Sequence, residues 1–458
     1  MAHLTPADRA TYLTTLSPGD NIDHRGTTFT GSLLNELLNA LRDPTAVWPH
    51  FGIARFDGAT FSDVARFDDA TFSASAEFND ATFSDDARFN SATFSASAEF
   101  NSATFSDDAR FNSATFSASA EFHSATFSAD AEFNDALFSP YASFNGAMFS
   151  AAARLGPLVC RGSLDLSGAV FAVPVTIEDA AVSVVCLRTR WESTATLRLR
   201  YAAVDLSDAV VTQPIAVIAH TAPFATLAGP LAETGLAGDA GVRIMSLRGV
   251  DAAFVVLTNT DLTQCRFFGA FHLDQLRLEG ETVFARTPSG IDVRQGFPLR
   301  WTDRLALAEE HHWRALPIHR PRLRARWTPA PQQQGPAARP PGPPALASLY
   351  WQLRKAFEDG KDEPGAADFY YAETEMRRLD RRRRRNRAER GLLTGYWALS
   401  GYGLRASRAL AWLALAMTAT VLTLMMWGLP TNDPKPRTTG TLPATGQALA
   451  VTENAGSR

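Results

Sequence analysis

From Phe61 to Phe149, phenylalanine recurs at alternating steps of six and five residues, and no other feature constrains the fold so tightly. The unit is eleven residues long, as in Phe89-Asn-Ser-Ala-Thr-Phe-Ser-Ala-Ser-Ala-Glu99. Nearly every Phe has Ala two positions before it, for example Ala70 before Phe72 and Ala81 before Phe83. A longer period lies on top. Units ending Ala-Arg (Arg66, Arg88, Arg110) alternate with units ending Ala-Glu (Glu77, Glu99, Glu121), so like returns to like after every second unit.

An amphipathic helix needs apolar residues at i, i+3, i+4 and i+7, and steps of five and six walk around that cylinder without making a stripe. Strict alternation, the mark of a half-buried strand, is also missing. Short bridges separated by tight corners fit the pattern. Ala and Phe then point inward, while Thr, Ser, Asp, Asn, Arg and Glu point out. Four sides, alternately five and six residues long, make one turn of two units, and turns stack through backbone hydrogen bonds. Each buried Phe contributes about 1.5–3 kcal/mol, and so dense an aromatic supply excludes a disordered tract. The expected core includes Phe72, Phe78, Phe83, Phe89, Phe94, Phe100, Phe105 and Phe111.

The Ala-x-Phe runs over residues 51–155 resemble pentapeptide-repeat proteins, in their Ala-Thr-Phe variant. The resemblance implies an all-β solenoid, specifically a right-handed quadrilateral β-helix. The beat loosens over 156–280, carried by Leu164, Leu166, Phe171, Leu206, Leu257, Leu262 and Phe267, and predicts a degenerate continuation to about Glu279. His220–Gly241 breaks it and reads as a loop. Open solenoid ends are exposed strand edges and need caps. Thr5-Pro6 and the leucines from Leu33 to Leu41 predict a helical N-terminal cap over 1–50.

The three cysteines, Cys160, Cys186 and Cys265, have no CxxC spacing, which fits a reducing compartment better than a disulfide framework. The N-terminus has no apolar signal-like segment. Net charge is -4, but acidic residues outnumber basic ones roughly three to one between Phe51 and Leu155, and Arg dominates after Trp313.

Residues 281–316 are expected to form a helical or irregular cap. Glu309-Glu310-His311-His312 lacks the spacing that puts two ligands on one helix face, so a partly solvated helix is expected and no metal. Residues 317–344 read as a Pro/Arg-rich linker. A helical hairpin with a basic run follows over 345–390. Its Tyr350-x-x-Leu-Arg-Lys-Ala-Phe-Glu-Asp and Asp368-Phe-Tyr-Tyr-Ala-Glu resemble a juxtamembrane module of membrane-associated, actinobacterial pentapeptide-repeat proteins. Residues 408–429 form an uncharged span from Ala409 on, long enough for a bilayer core of about 30 Å. Arg381, Arg382, Arg383, Arg384 and Arg385 act as the topology signal, placing the N-terminus and solenoid in the cytoplasm and a disordered tail, 430–458, outside the cell membrane. Leu442-Pro-Ala-Thr-Gly446 spells a sortase signal, but the apolar span precedes it instead of following it.

No phosphate loop or nucleophile elbow is present, so no enzyme and no cofactor are expected. Asp85-Asp86 and Asp107-Asp108 recur with the repeat, as a solvated face does, and His123 stands where the repeat has Asn. The functional expectation is a non-enzymatic, single-pass membrane-anchored repeat scaffold that contacts lipid through its one span and binds a protein partner of unknown identity. Oligomers are possible, and the basic run lacks the interleaved aromatics of a nucleic-acid platform. The alternative, implied by resemblance to gyrase-protecting pentapeptide proteins, is a DNA mimic that binds a type II topoisomerase.

Overall fold

The computed structural model describes Met1 and residues 3–43, 47–226, 229–288, 291–294, 297–300, 303–316, 327–328, 340–380 and 387–428. They fall into two compact units, Met1–Arg382 and Arg383–Arg458.

The first unit is a parallel β-solenoid. In its regular part each turn carries four two-residue strands, for example Thr71–Phe72, Ala76–Glu77, Thr82–Phe83 and Ala87–Arg88. Each pairs in parallel with the strand two units further on: Phe72 with Phe94, Glu77 with Glu99, Phe83 with Phe105, Arg88 with Arg110. All eight expected core phenylalanines are fully buried. They form four columns of parallel rings. One runs Phe29, Phe61, Phe83, Phe105, Phe127, Phe149, Phe171 and Trp191, with centroids 4.6 to 5.3 Å apart. Rings of neighbouring columns meet edge to face, as Phe78 and Phe89 do at 5.5 Å, an arrangement the ring quadrupoles favour.

The alternating step has a local cause. The five-residue step turns tightly: the Ala81 N–H donates to the Phe78 carbonyl, and Asp80 takes φ of 55°. The six-residue step uses a wider bend, Ser84-Asp85-Asp86, and inserts one more residue. Each of the two five-residue corners of a turn builds a left-handed column, and one of the two is filled by Gly58, Asp80, Ser102, Ser124, Gly146 and Gly168. Its occupants are the residue types that tolerate this conformation best or pack it least.

Two departures from the sequence expectation concern the N-terminal part. Coiling begins inside the segment expected to be helical cap, because Ile22 pairs with Ala54 and Thr28 with Thr60. The step from Thr28 to Thr60 is ten residues longer than a regular turn, and helix α2 (Gly31–Ala40) has ten residues. That helix is an excursion from the first coil, with Leu33, Leu34, Leu37 and Leu38 buried. Helix α1 (Pro6–Thr15) precedes it, its first turn capped by the Thr5 hydroxyl accepting the Asp8 N–H.

The period also changes after Phe171. Phe171 pairs with Trp191 and Trp191 with Val211, twenty residues apart, so these coils use five-residue sides throughout. The insertion between His220 and Gly241 contains a short hairpin, Ala225–Thr226 with Gly229–Pro230. It is tied down by a buried ion pair between Arg200 and Glu233, 2.5 Å. The ladder resumes with Ile215 pairing Val255; Arg277–Glu279 is its last strand, followed by a single bridge from Asp261 to Val283.

Helices α3 (Ala308–Ala315), α4 (Pro343–Asp359) and α5 (Glu363–Leu379) follow. Helices α4 and α5 overlap the segment expected as a hairpin, and they pack on the end of the solenoid. Phe357 and Phe369 pack against Phe284, which stacks on Phe267 of the last coils, so α4 and α5 share the solenoid core and close its end. The hairpin's apolar face needs a partner, and the open coil supplies it. Residues 317–326 and 329–339 of the expected linker lie outside the described residues.

In the second unit α6 (Arg387–Ser400) turns through Gly401–Arg405 into α7 (Ala406–Thr423). The stretch Ala406–Gly428, 23 residues with none of them buried, is long and apolar enough to cross a membrane. Helix α6 was not foreseen. Arg381–Arg385 and the tail 430–458, with Leu442–Gly446, lie outside the described residues.

Candidate interaction surface

Since Phe and Ala fill the inside of every regular coil, the outward residues are free to vary, and they sort into four walls. In chain order these are hydroxyl, acidic, hydroxyl and basic. One hydroxyl wall carries Thr71, Thr93 and Thr115, the other Thr60, Thr82, Thr104 and Thr126. The acidic wall stacks Glu77, Glu99 and Glu121, and the basic wall Arg66, Arg88 and Arg110.

Stacking like charges at strand spacing costs up to about 1 kcal/mol per pair in water, and each wall offsets it differently. On the acidic wall side-chain amides sit between the carboxylates. Asn79 Nδ2 donates to Glu99 at 3.0 Å and Asn101 Nδ2 to Glu121 at 3.3 Å. Asn79 also donates to Asp57, so amide and carboxylate alternate along the rod. On the basic wall the bends supply counter-charges. Arg110 bridges Asp86 (2.8 Å) and Asp108, and Arg88 faces Asp68 at 3.1 Å. Arg110 is correspondingly held above its ordinary pKa by those two carboxylates, against the opposing effect of burial. At Arg88 and Arg110 the charge of the basic wall is therefore locally balanced. The acidic wall has only neutral amides between its glutamates, apart from Arg55 against Glu77 at 3.2 Å.

Asp85, Asp86 and Asp107 bring carboxylate oxygens within 4.8 Å of one another. Asp86 is already committed to Arg110, and the Asp85-Asp86 pair recurs one turn later as Asp107-Asp108. His123 lies 3.9 Å from Glu121 and its amide donates to Asn101, so it continues the amide column it replaces. Beyond Phe144 the walls lose their pattern, and Met148, Val182 and Val210 expose apolar side chains.

The Glu309–His312 segment differs from expectation. Glu309, Glu310 and His311 are buried, and the members diverge. Glu309 accepts the N–H groups of Phe267 (2.5 Å) and Phe268 (2.9 Å). Glu310 binds Arg304, Arg314 and the Tyr350 hydroxyl, and Glu375 joins the same two arginines. His311 contacts the Arg286 carbonyl. Burial raises Glu309 above the usual carboxylate range, whereas Glu310, between two guanidinium groups, is held down to about 2 despite burial. This cluster is a structural tie among α3, α4 and α5. Sequence reasoning missed it because Arg304 and Glu375 are far apart along the chain. Between α4 and α5 a shallow groove of about 440 Å3 is lined by Arg354, Glu358, Lys361, Glu363 and Tyr370, again of mixed charge.

The three cysteines are free and buried. Burial pushes the Cys160 thiol up to about 12 and raises the other two as well, so none is a poised nucleophile.

Among known families, the one described as pentapeptide repeats (9 copies) matches residues 56–104, 78–126 and 111–156. No curated protein matches the chain. No solved structure matches it either.

Proposed function

We propose that this pentapeptide-repeat protein is a non-catalytic scaffold, tethered to the cell membrane by α7, that presents its solenoid walls to a protein partner in the cytoplasm. The observation that carries this reading is the separation of chemistry by wall. A packed core fixes a column of glutamates on one side and a column of arginines, two of them paired with aspartates, on the other, with hydroxyl columns between them. Such a surface offers regularly spaced charge with little conformational entropy to lose on binding. Arg405 and Arg408 beside the start of α7, and the arginines of 381–390, support the cytoplasmic placement of the solenoid through the positive-inside rule.

The test is capture of partners from detergent-solubilised membranes by the full chain and by a variant carrying Glu77→Gln, Glu99→Gln and Glu121→Gln. Loss of specific partners from the variant supports the reading. An unchanged set counts against it.

A second reading, a DNA mimic that binds a type II topoisomerase, draws on the uncompensated carboxylates of Glu99 and Glu121. The Arg-bearing wall on the other side of the rod opposes it, since a duplex is anionic all round. A supercoiling assay with the solubilised chain separates the two: inhibition that the three Gln substitutions abolish favours the mimic.

A further inference from the structure

Helix α6 carries an exposed apolar stripe, in which Tyr396 meets the Tyr402 ring edge to face at 5.8 Å. Leu392 and Leu399 are 73% and 55% exposed, and Tyr396 between them is also exposed. Their spacing of four and three residues puts all three along one side of the helix. Thr394, two positions from Leu392, lies about 200° round from it.

The other side of α6 is fixed against α7. Trp412 Nε1 donates to the Ala398 carbonyl at 3.1 Å, Arg408 donates to the Trp397 carbonyl, and the Arg408 guanidinium stacks 5.3 Å from the Trp397 ring. These contacts all lie at the C-terminal end of α6 and the first two turns of α7. They hold α6 beside the point where the apolar span begins. The sequence that leads into α6 and makes its first turn, Arg381–Arg390, contains seven arginines and one acidic residue, Glu389. A short helix with an apolar stripe, cationic flanks and a fixed junction to a membrane span matches the headgroup layer of an anionic bilayer.

The geometry points to α6 as an in-plane membrane helix, its Leu392–Tyr396–Leu399 stripe seated among the headgroups and upper acyl chains of anionic lipid. This rests on the reading of α7 as a membrane anchor and adds a second lipid contact to it. Such a contact fixes the last element before the anchor against the bilayer surface and makes attachment sensitive to lipid charge, which a lone hydrophobic span is not.

The natural cysteines are buried and their thiols shifted upward, so a cysteine introduced on α6 can be labelled selectively in the full chain. Leu392→Cys, Leu399→Cys, Thr394→Cys and Met417→Cys variants, the last in mid-span, are reconstituted into vesicles. One set contains phosphatidylcholine alone and the other an equal share of phosphatidylglycerol. Reaction with a membrane-impermeant maleimide is then timed. With phosphatidylglycerol present, positions 392 and 399 should react about tenfold more slowly than position 394, and the difference should shrink in phosphatidylcholine. Equal rates at 392, 399 and 394 overturn the proposal, as does protection that ignores lipid charge. Disulfide-linked dimers of the Leu392→Cys variant would assign the stripe to a second copy of the chain and overturn it too. Rapid labelling at 417 means that the anchor reading has failed, whereas protection at 417 with free reaction at 392 and 399 sinks only the present inference.

Discussion

The carboxylate of Glu309 accepts the backbone N–H of Phe267 at 2.5 Å, and so terminates a hydrogen-bond column that runs the length of the solenoid. In every earlier coil the equivalent amide donates to the carbonyl of the next one: Phe78 to Glu99, Phe122 to Ser143, Leu166 to Val185, Leu206 to Ser246, Leu247 to Arg266. At Phe267 that column reaches its end, and a helix supplies a side-chain oxygen in place of a strand. An unpaired buried amide would cost about 1–3 kcal/mol.

Glu309→Ala should therefore loosen the last coils by about 1–3 kcal/mol, seen as faster hydrogen exchange at Phe267 and Phe268. Glu309→Gln keeps an acceptor and should retain most of that protection. The folded pKa of Glu309 is raised by burial, so the folded state holds its proton longer than the unfolded chain. Its contribution favours folding below the unfolded pKa and is lost as pH rises through the folded value. The Gln variant should remove that slope from a denaturation series begun near pH 4.

Phe100 has parallel rings 5.0 Å away on both sides, Phe78 and Phe122, and is fully buried. Phe100→Ala should cost about 3–5 kcal/mol in chemical denaturation followed by circular dichroism. An effect below about 1 kcal/mol, within the range of a surface change, would contradict the stacked core.

Ser102 has φ of 56° in the column that Gly58 and Gly146 also occupy. Ser102→Gly should be neutral or stabilising by up to about 1 kcal/mol, the relief of backbone strain being offset by chain entropy. Ser102→Val should cost about 1–2 kcal/mol, because a β-branched side chain fits this conformation worst. Equal stability of the two variants would show that the corner is not left-handed.

Much of this architecture was legible because one interaction is repeated. Phe at a fixed beat reports ring stacking directly, and the alternation of Arg and Glu reported the two-unit turn before any strand was seen. The first coil was hidden by the helix inserted into it, although Ile22-Asp-His-Arg-Gly-Thr-Thr-Phe29 parallels Ala54-Arg-Phe-Asp-Gly-Ala-Thr-Phe61. The change to shorter coils was hidden because Leu, Val, Trp and Cys replace Phe and blur the beat. The capping role of α4 and α5 was not legible at all. An amphipathic helix announces that it needs a partner but not which one.

His24 occupies the inward position that Phe56 fills one coil later, 6.2 Å from its ring, and its Nε2 lies 3.3 Å from the Tyr12 hydroxyl. Burial lowers its pKa to about 4, with the N-terminal amine adding to the shift and Asp23 opposing it. The folded protein therefore keeps it neutral where the unfolded chain takes up a proton. Stability of the first coil should fall as pH drops from about 6.5 towards 4, by up to about 3 kcal/mol, and level off below. His24→Phe should abolish the effect, measured as hydrogen exchange at residues 22–29.

Glu310 lies between Arg304 and Arg314 with no exposed surface. Glu310→Ala leaves two buried guanidinium groups with Glu375 alone, and should cost about 3–5 kcal/mol. Limited proteolysis should then cut at α3–α5 while residues 51–150 resist. Simultaneous loss of both regions would mean that the cap and the regular coils unfold as one.

The two-unit period has a consequence for how such a gene can change. Copying or losing a whole turn lengthens or shortens the rod while every face stays continuous, so slippage between near-identical repeats yields working proteins of graded reach. A shift of half that length keeps Phe in step but carries the Arg face onto the Glu face from that point on. Descent by duplication should therefore favour even numbers of eleven-residue units, and an odd one would mark the place where a rod presents opposite charges to the same partner.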